Sequence, residues 1–556
     1  MKITLLFISI AIFGITNAQS PSFQWAKSAG GTNNDEGNSI ATDTDGNVYV
    51  TGRFQSPSIT FGTTTLTNVG AFDFFIVKYD ANGNVLWAKG AGGTNDDVGQ
   101  SIATDTNGNV FVTGYFYSPS ITFGTMTLSN SSIADDIFVV KYDANGNVLW
   151  AKSEGGTGYE NGRSIATDVS GNVFVAGNFS SPSVSFGTTT LTNTNPPAGE
   201  IFIVKYDANG NPLWAKIGGE SPLTELVNNI TTDANGNAYI TGYFYDSSIW
   251  FGSINLTKTS TNEADFFVVK YDANGNEVWA KIEGGSGDDV GNSITADANG
   301  NIFVTGYFKS PSITFGTTTV MNVGTSTSSL NLFVVKYDSF GNILWAKGVG
   351  GNEAEIANSI ITDANGNAYV TGQFNSSSIS FGTNTVTKTG STYYSDIFVA
   401  KYDSNGNDIW AKGVGGTDSE TGLGIATDAY GDVFLTGYFY SPSISFGATT
   451  LTNTGGSLFV TKLGSSVTGI ENLSHNPTIQ IYPNPSSSLT ILQANEVLKD
   501  VTLTIYNSLG QTIKEIKNIS GQTVILSLDN LANGQYFVHL KGENILYSDK
   551  LIIIDK

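Results

Sequence analysis

Residues 87–116 read WAKGAGGTNDDVGQSIATDTNGNVFVTGYF, and the same succession of words returns along the chain until Lys462. Neighbouring copies of the opening word, Trp-Ala-Lys, lie 62 to 66 residues apart. So narrow a drift in spacing predicts one structural unit per cycle. The copies begin at Trp25, Trp87, Trp150, Trp214, Trp279, Trp345 and Trp410.

Each cycle is predicted to contain four strands, which the first cycle places at residues 38–42, 48–54, 74–79 and 85–89. The connections at 43–47 and 80–84 are built from Asp, Asn and Gly, which favour tight turns. In the second strand, valines alternate with Tyr49 and Thr51, so neither face is simply polar. Residues 57–68 predict a small added hairpin between the second and third strands.

Four-stranded sheets that are covered on both faces are typical of β-propeller blades, and seven cycles predict seven blades. The first Trp-Ala-Lys has no cycle before it, and the last cycle has no Trp-Ala-Lys after it. We therefore expect residues 23–27 to supply the outer strand of the blade that contains residues 420–463. Such a closed ring leaves only short, protected sheet edges.

Three words of the cycle resemble a known repeat family. They are GNVYVTG at residues 46–52, FIVKYDANGN at residues 75–84, and the link GG-x-x-x-D between cycles. They resemble the bacterial seven-bladed β-propeller repeat usually called SBBP, and the resemblance covers residues 22–463. It implies an all-β propeller fold and no shared catalytic set, because that family is defined by its repeat.

The composition excludes several classes of function. The net charge of -22 repels nucleic acid and anionic membrane surfaces, and it favours solubility outside the cell. Cysteine is absent, which excludes disulfides, thiolate catalysis and cysteine metal sites. The two histidines, His475 and His539, lie beyond the repeats, so a Ser-His-Asp site cannot be assembled within them.

The two ends of the chain indicate where the protein is localised. Residues 1–18 have a basic start, an apolar run and small residues before Gln19, as in a signal peptide, and no later stretch is long enough to insert into a membrane. Residues 19–463 are the predicted propeller and 464–477 a polar linker. Residues 478–556 form the last predicted domain, a small Ig-like β-sandwich with strands at 479–482, 489–492, 501–507, 523–528, 535–540 and 546–554.

The last domain resembles a secretion signal. The words IYPNPSSSLTI at 481–491, IYNSLGQTI at 505–513, LANGQYFVHL at 531–540 and KLIIIDK at 550–556 resemble the type A C-terminal sorting domain of the type IX secretion system. The resemblance implies a Gram-negative secretor and the type IX machinery as a partner. It also implies removal of this domain, followed by release of the protein or its attachment to the outer cell surface.

An acid stands five residues before the inner-strand isoleucine of every cycle. A ring of these carboxylates near one mouth of the channel could hold a cation such as calcium, with raised pKa values from mutual repulsion. Alternatively, each acid caps backbone N–H groups of the link between blades. The seven acids are Asp35, Asp97, Glu160, Glu225, Asp289, Glu355 and Glu420.

Aromatic side chains that vary between cycles are the second group of candidates. Tyr115 and Tyr243 flank the recurrent phenylalanine of the second strand, so alternation turns them outward or into the interface between blades. Trp250 is the one tryptophan outside the repeated word. Exposed rings at these positions could stack on sugars, whereas buried rings would only pack.

These features predict a secreted or cell-surface propeller that serves binding, adhesion or display of protein or glycan ligands. No catalytic residues or cofactors are identified. One alternative is a carbohydrate-active enzyme of the carboxylate type, a glycosidase or lyase, which needs only two suitably spaced acids. The other alternative is a purely structural surface module.

Overall fold

The computed structural model describes residues 20–219, 225–258, 263–324, 329–390, 393–464, 479–507, 511–528, 531–542 and 546–554. The predicted signal peptide and all of the predicted linker except Gly464 lie outside these ranges. The chain divides into two compact units, Met1–Ser466 and Val467–Lys556. The described residues contain strands and no helix, so none of their elements is a helix that could cross a membrane.

The described part of the first unit contains six four-stranded sheets and one six-stranded sheet, and four strands of each form a blade. Their inner strands are Asp35–Thr42, Asp97–Thr104, Glu160–Thr167, Glu225–Thr232, Asp289–Ala296, Glu355–Thr362 and Glu420–Thr427. The second strands are Val48–Phe54, Val110–Phe116, Val173–Phe179, Ala238–Phe244, Ile302–Phe308, Ala368–Phe374 and Val433–Phe439.

The outer half of each blade follows the same order. The third strands are Asp73–Tyr79, Asp136–Tyr142, Glu200–Tyr206, Asp265–Tyr271, Asn331–Tyr337, Asp396–Tyr402 and Ser457–Gly464. The outer strands, from the first blade to the seventh, are Val85–Ala91, Val148–Glu154, Pro212–Gly219, Glu277–Glu283, Ile343–Val349, Asp408–Val414 and Ser22–Gly30. The predicted all-β architecture of four-stranded blades is confirmed.

Local chemistry explains why the cycle folds as a blade. The second and third strands are buried along their length because neighbouring blades cover both faces. The turn between inner and second strands places Gly46 at φ +78°, a conformation that suits glycine, and Oδ1 of Asp43 accepts hydrogen bonds from the N–H groups of Asp45 and Asn47 at 3.0 and 2.9 Å. The turn therefore satisfies its own backbone.

The predicted added hairpin is present in every blade. In six blades it forms a separate two-stranded sheet, whereas that of blade 4 joins the outer strand of blade 3 through the pairs Gly218↔Phe251 and Gly219↔Trp250. The hairpins are Ser58–Phe61 with Thr64–Thr67, Ser120–Phe123 with Met126–Ser129, Ser183–Phe186 with Thr189–Thr192, Ser248–Phe251 with Ile254–Thr257, Ser312–Phe315 with Thr318–Met321, Ser378–Phe381 with Asn384–Thr387, and Ser443–Phe446 with Thr449–Thr452.

The two ends of the repeat array meet as predicted. Ser22–Gly30 pairs antiparallel with Ser457–Gly464 and completes the seventh blade. Nε1 of Trp25 donates to the carbonyl oxygen of Ala81 in blade 1 at 3.0 Å, and Trp87 makes the same bond from blade 1 to blade 2 at 3.1 Å. The junction between the last and first blades therefore repeats the junction between ordinary neighbours.

The described strands of the second unit are Ile479–Tyr482, Leu489–Asn507, Thr512–Ser527, Gly534–Lys541 and Leu546–Ile553, and they belong to one five-stranded sheet. Two predicted strands, 489–492 and 501–507, are one long strand. The strand Thr512–Ser527 begins eleven residues before the predicted strand at 523–528. The described strands are not divided into two sheets, so the Ig-like sandwich stays a prediction.

Candidate functional site

The seven predicted acids each open an inner strand and are completely buried. Asp35 illustrates the environment: its carboxylate accepts hydrogen bonds from the N–H of Gly31 at 2.9 Å and from the N–H and hydroxyl of Ser56 at 3.1 and 2.7 Å. The carboxylate thus joins the link before its strand to the segment that follows the second strand. Equivalent bonds surround Asp97, Glu160, Asp289, Glu355 and Glu420.

Burial sets the electrostatics of these acids. Desolvation raises the pKa of Asp97 and of Asp289 to about 6 and that of Glu420 to about 7, while hydrogen bonds from Ser and Gly donors oppose the rise. The described residues contain no group of three or more His, Asp or Glu side chains placed to hold a metal ion. The contacts match the capping interpretation, and calcium binding at an acidic ring stays a prediction that these contacts do not support.

The channel is lined by a different set of residues, which sequence reasoning missed. Each inner strand contains a β-bulge, and the extra residue lies three positions after the buried acid. A cavity of about 200 Å³ is lined by residues of all seven inner strands. The lining includes the bulge residue of every blade, and these residues differ in chemistry from blade to blade. The bulge residues are Asn38, Gln100, Arg163, Asn228, Asn292, Asn358 and Leu423.

Four of these bulge residues tie one blade to the next. Nδ2 of Asn228 donates to the carbonyl oxygen of Gly291 at 2.9 Å, and Nδ2 of Asn292 donates to that of Ala357 at the same distance. The other two bonds of this kind come from Asn38 and Asn358. We call these four bonds the carboxamide tier, because each spans the gap between neighbouring inner strands at the same height.

A second tier of hydrogen bonds joins neighbouring inner strands at their other end. The hydroxyl of Thr104 donates to the carbonyl oxygen of Thr42 at 2.8 Å, and the hydroxyl of Thr42 donates in turn to that of Thr427 at 2.8 Å. This second contact joins blade 1 to blade 7. The channel wall is therefore a ring of hydrogen bonds. It is interrupted in its carboxamide tier at Gln100, Arg163 and Leu423, and in its second tier at Ala296, which has no hydroxyl to donate.

Arg163 is the charged member of the channel lining. Its Nε is buried and has no hydrogen-bond partner among the described residues. Burial lowers the pKa of its guanidinium, and the nearby Tyr243 and Tyr115 hydroxyls oppose that change. The other arginine, Arg53, is paired with Glu36 at 2.8 Å and lies 4.4 Å from the ring centre of Phe72.

The predicted tyrosines lie at the end of the second strands, at the acid end of the channel wall. Tyr115 and Tyr243 are half-buried at equivalent positions of blades 2 and 4, opposite Val98 and Leu226 of the inner strands. Tyr245 is 39% exposed and contacts Tyr243 edge to face, with ring centres 5.7 Å apart. These tyrosines do not line the channel cavity, and they lie at the end of the blades where the inner strands begin.

Trp250 lies apart from these tyrosines. It is 41% exposed on the added hairpin of blade 4, where it pairs with Gly219 of the outer strand of blade 3. It therefore marks the outer edge of the propeller, and the structure does not bring it together with the channel. Its deviation from the repeat coincides with a structural difference, because the hairpin that carries it pairs with the outer strand of blade 3 and extends that sheet to six strands.

A signal for Arg163 was present in the sequence. The position three residues after the acid is Asn in four cycles, and it is Arg, Gln or Leu in the other three. The bulge that turns this position toward the channel has no sequence signature that distinguishes it from ordinary strand pairing. Alignment of the cycles would therefore have marked the position as variable without placing it in the channel.

Comparison with known families agrees with both parts of the fold. The beta-propeller repeat family SBBP matches residues 24–53, 86–115 and 278–307, and the secretion system C-terminal sorting domain matches residues 480–554. The chain carries SBBP β-propeller repeats and a type IX sorting domain. The sorting domain indicates interaction with the type IX machinery and export to the cell surface or extracellular space of Bacteroidetes-type bacteria.

Two curated relatives share part of this propeller-and-tail chain. An uncharacterized WD repeat-containing protein of Acanthamoeba polyphaga mimivirus is 29% identical over 65% of the chain, and the regulatory protein FlaEY of Caulobacter vibrioides is 26% identical over 35%. The matches span only 31% and 20% of those relatives. The activity of a whole relative therefore does not transfer to this chain.

Two solved structures are similar in outline. A puromycin hydrolase mutant complexed with PGG is 10% identical, covers 83% of this chain and 58% of its own, and has a TM-score of 0.36. PorZ, a surface component of the type IX secretion system of Porphyromonas gingivalis, is 10% identical, covers 95% of this chain and 100% of its own, and has a TM-score of 0.15. At these scores the likeness carries no argument about function.

Proposed function

We propose that this exported propeller binds extracellular glycans at the face that bears the tyrosines. The observation that carries the proposal is the aromatic surface around the channel mouth. Tyrosines end the second strands of blades 2, 4, 5 and 7, although the repeat places Arg, Asn or Gln there in the other blades. Tyrosine combines an apolar ring with a hydroxyl, which suits a partly wet contact with sugars.

The exposed rings have neighbours that hold them in place. Tyr245 leans on Tyr243, and the rings of Tyr438 and Tyr440 lie 5.4 Å apart in an edge-to-face arrangement. Tyr117 is 38% exposed at the position of blade 2 that corresponds to Tyr245 in blade 4. Rings that are already held by neighbours lose little conformational freedom when a ligand binds, which favours affinity.

The environment of the acids favours binding over hydrolysis. In glycoside cleavage one carboxyl group donates a proton and another acts as base or nucleophile, so both must reach the substrate. Asp97 and Asp289 are instead completely buried and accept bonds from the backbone and from serine hydroxyls. Their role in joining the blades supports a binding protein rather than a carboxylate-dependent enzyme.

The test is a glycan array followed by calorimetry on the full exported chain. We expect Tyr117→Ala and Tyr245→Ala to weaken binding of the ligands found, with melting temperatures close to that of the parent. The matched control is Tyr430→Ala, which removes a ring that is 79% exposed at the opposite end of the blades. Equal binding by all three variants, or hydrolysis of the bound glycan, would contradict the proposal.

A further inference from the structure

Blade 3 concentrates unsatisfied polar atoms at the channel mouth. Within the described part of the chain, Nε of Arg163 and the Oδ1 atoms of Asn161 and Asn178 are buried and have no hydrogen-bond partner. Leaving such an atom unpaired costs about 1–3 kcal/mol, and more for a charged group. These three atoms belong to the inner and second strands of blade 3, where the carboxamide tier is interrupted, and they indicate a site whose partner atoms come from a ligand.

The strand register places these three side chains together. Asn161 and Asn178 are direct partners on neighbouring strands, and Arg163 is the bulge residue two positions further along the inner strand. Nδ2 of Asn178 donates to the backbone carbonyl oxygen of Glu225 in blade 4 at 2.7 Å. That bond fixes the amide at the junction of blades 3 and 4 and leaves its Oδ1 as the free acceptor.

The unsatisfied atoms define the chemistry of the ligand. The guanidinium donates hydrogen bonds and carries a positive charge, so it needs an anionic acceptor such as a carboxylate. The two amide oxygens need donors, which a fully ionised inorganic anion such as sulfate lacks. A ligand that carries both a carboxylate and hydroxyl groups satisfies all three side chains.

The neighbouring tyrosines and the volume of the cavity narrow the class of ligand further. Tyr115 and Tyr243 occupy the equivalent positions of the two flanking blades, one on each side of Asn178. The channel cavity of about 200 Å³ is lined by Arg163 but not by Asn161, Asn178, Tyr115 or Tyr243. It is smaller than the roughly 300–1,000 Å³ of sites that enclose a drug-sized molecule, so beside Arg163 it would admit no more than one unit of a longer chain. Aromatic rings beside a carboxylate-and-hydroxyl site fit the ring of a sugar acid.

We propose that the channel mouth at blade 3 binds a uronic acid unit of an extracellular glycan. Arg163 pairs with the carboxylate, Asn161 and Asn178 accept hydrogen bonds from sugar hydroxyls, and Tyr115 and Tyr243 contact the sugar ring on either side. The site gives the strongly acidic protein a local means of attracting an anionic ligand. This inference rests on the proposed glycan-binding function and names the sugar class.

The test uses calorimetry on the full exported chain with oligomers of glucuronate, galacturonate and mannuronate. The methyl ester of each oligomer serves as the neutral counterpart. We expect at least one acidic oligomer to bind about 10- to 100-fold more tightly than its ester, which corresponds to one hydrogen-bonded charge pair. Arg163→Met should abolish that difference, and Arg163→Lys should retain part of it.

The matched control is Gln100→Met at the neutral bulge position of blade 2, which should keep the preference for the acid. Melting curves of every variant verify that the propeller remains folded. If neutral glycans bind at the tyrosines and Arg163→Met changes nothing, the uronate site is overturned while the proposed function stands. If the parent protein binds no glycan of any kind, both proposals fail.

Discussion

The channel wall of blades 5 and 6 and that of blade 3 share one backbone design and differ in a single kind of bond. Asn292 and Asn358 each extend a carboxamide to the next inner strand, whereas Arg163 occupies the same bulge without bonding across to blade 4 in any contact the described residues show. The bulge is therefore retained where its blade-joining bond is lost. Asn292 and Asn358 therefore connect neighbouring blades, whereas Arg163 lines the channel without connecting its blade to the next.

The largest expected effect comes from removing the strand that closes the propeller ring, because the channel wall of every blade depends on that closure. Deletion of residues 22–30 removes the outer strand of blade 7, including Trp25 and its bond to Ala81. We expect the melting temperature to fall by many degrees, because an entire strand of hydrogen bonds and packing is lost. Trp25→Ala, a milder form of the same change, should lower the free energy of unfolding by about 2–4 kcal/mol.

Calorimetric melting curves provide the measurement. Lys27→Ala is a suitable control, because this lysine lies on the same strand and is exposed. A deletion variant that melts like the parent would show that the seventh blade does not need its N-terminal strand. The blades would then be held together by the inner tiers alone.

A rise in pH should weaken the hydrogen-bonded links made by the buried acids at the start of the inner strands. This effect should be felt in blade 3 as well as in blades 5 and 6. Burial raises the pKa of Asp97 and Asp289 to about 6 and that of Glu420 to about 7, above their values in the unfolded chain. Between about pH 4 and pH 7 the folded state therefore binds more protons than the unfolded state. Stability should fall as the pH rises through this window and level off above it.

Denaturant unfolding between pH 5 and pH 8 measures this slope. The double variant Asp97→Asn with Asp289→Asn keeps carboxamides of similar shape at two links and should show a shallower dependence on pH. Stability that increases from pH 5 to pH 8 would mean that the hydrogen bonds to these carboxylates outweigh their desolvation.

A smaller effect tests the comparison directly. Asn292→Ala removes a bond of the carboxamide tier and should lower the free energy of unfolding by about 1 kcal/mol in urea titrations. Arg163→Met removes a buried, unpaired donor and should leave stability unchanged or raise it. Gln100→Ala serves as the control at a neutral position. Equal losses in Asn292→Ala and Arg163→Met would show that both residues hold the wall together.

The sequence predicted the blade but not the interior of the channel. The repeated words predicted the strands, and the Asx-Gly segments predicted the turns. The unmatched Trp-Ala-Lys at Trp25 predicted the strand that closes the ring. The bulge depends on how an inner strand pairs with its neighbour, and a regular pattern such as D-V-G-Q-S-I does not reveal it. For that reason the buried acids attracted attention, whereas Arg163 and its asparagine neighbours were overlooked.

An effect of similar size and opposite sign is expected from converting blade 3 into an ordinary blade. Arg163→Asn places a carboxamide where Asn228 has one, and it should bond the carbonyl oxygen of Val227 as Asn228 bonds that of Gly291. Because the new bond replaces a buried donor that lacks a partner, the free energy of unfolding should rise by about 0.5–1.5 kcal/mol. The same variant should lose the preference for uronate oligomers over their esters. A gain in stability together with a loss of binding is the expected mark of a position kept for function, since such positions are often not optimal for stability. A variant that is less stable than the parent would instead assign Arg163 to the structure of the wall.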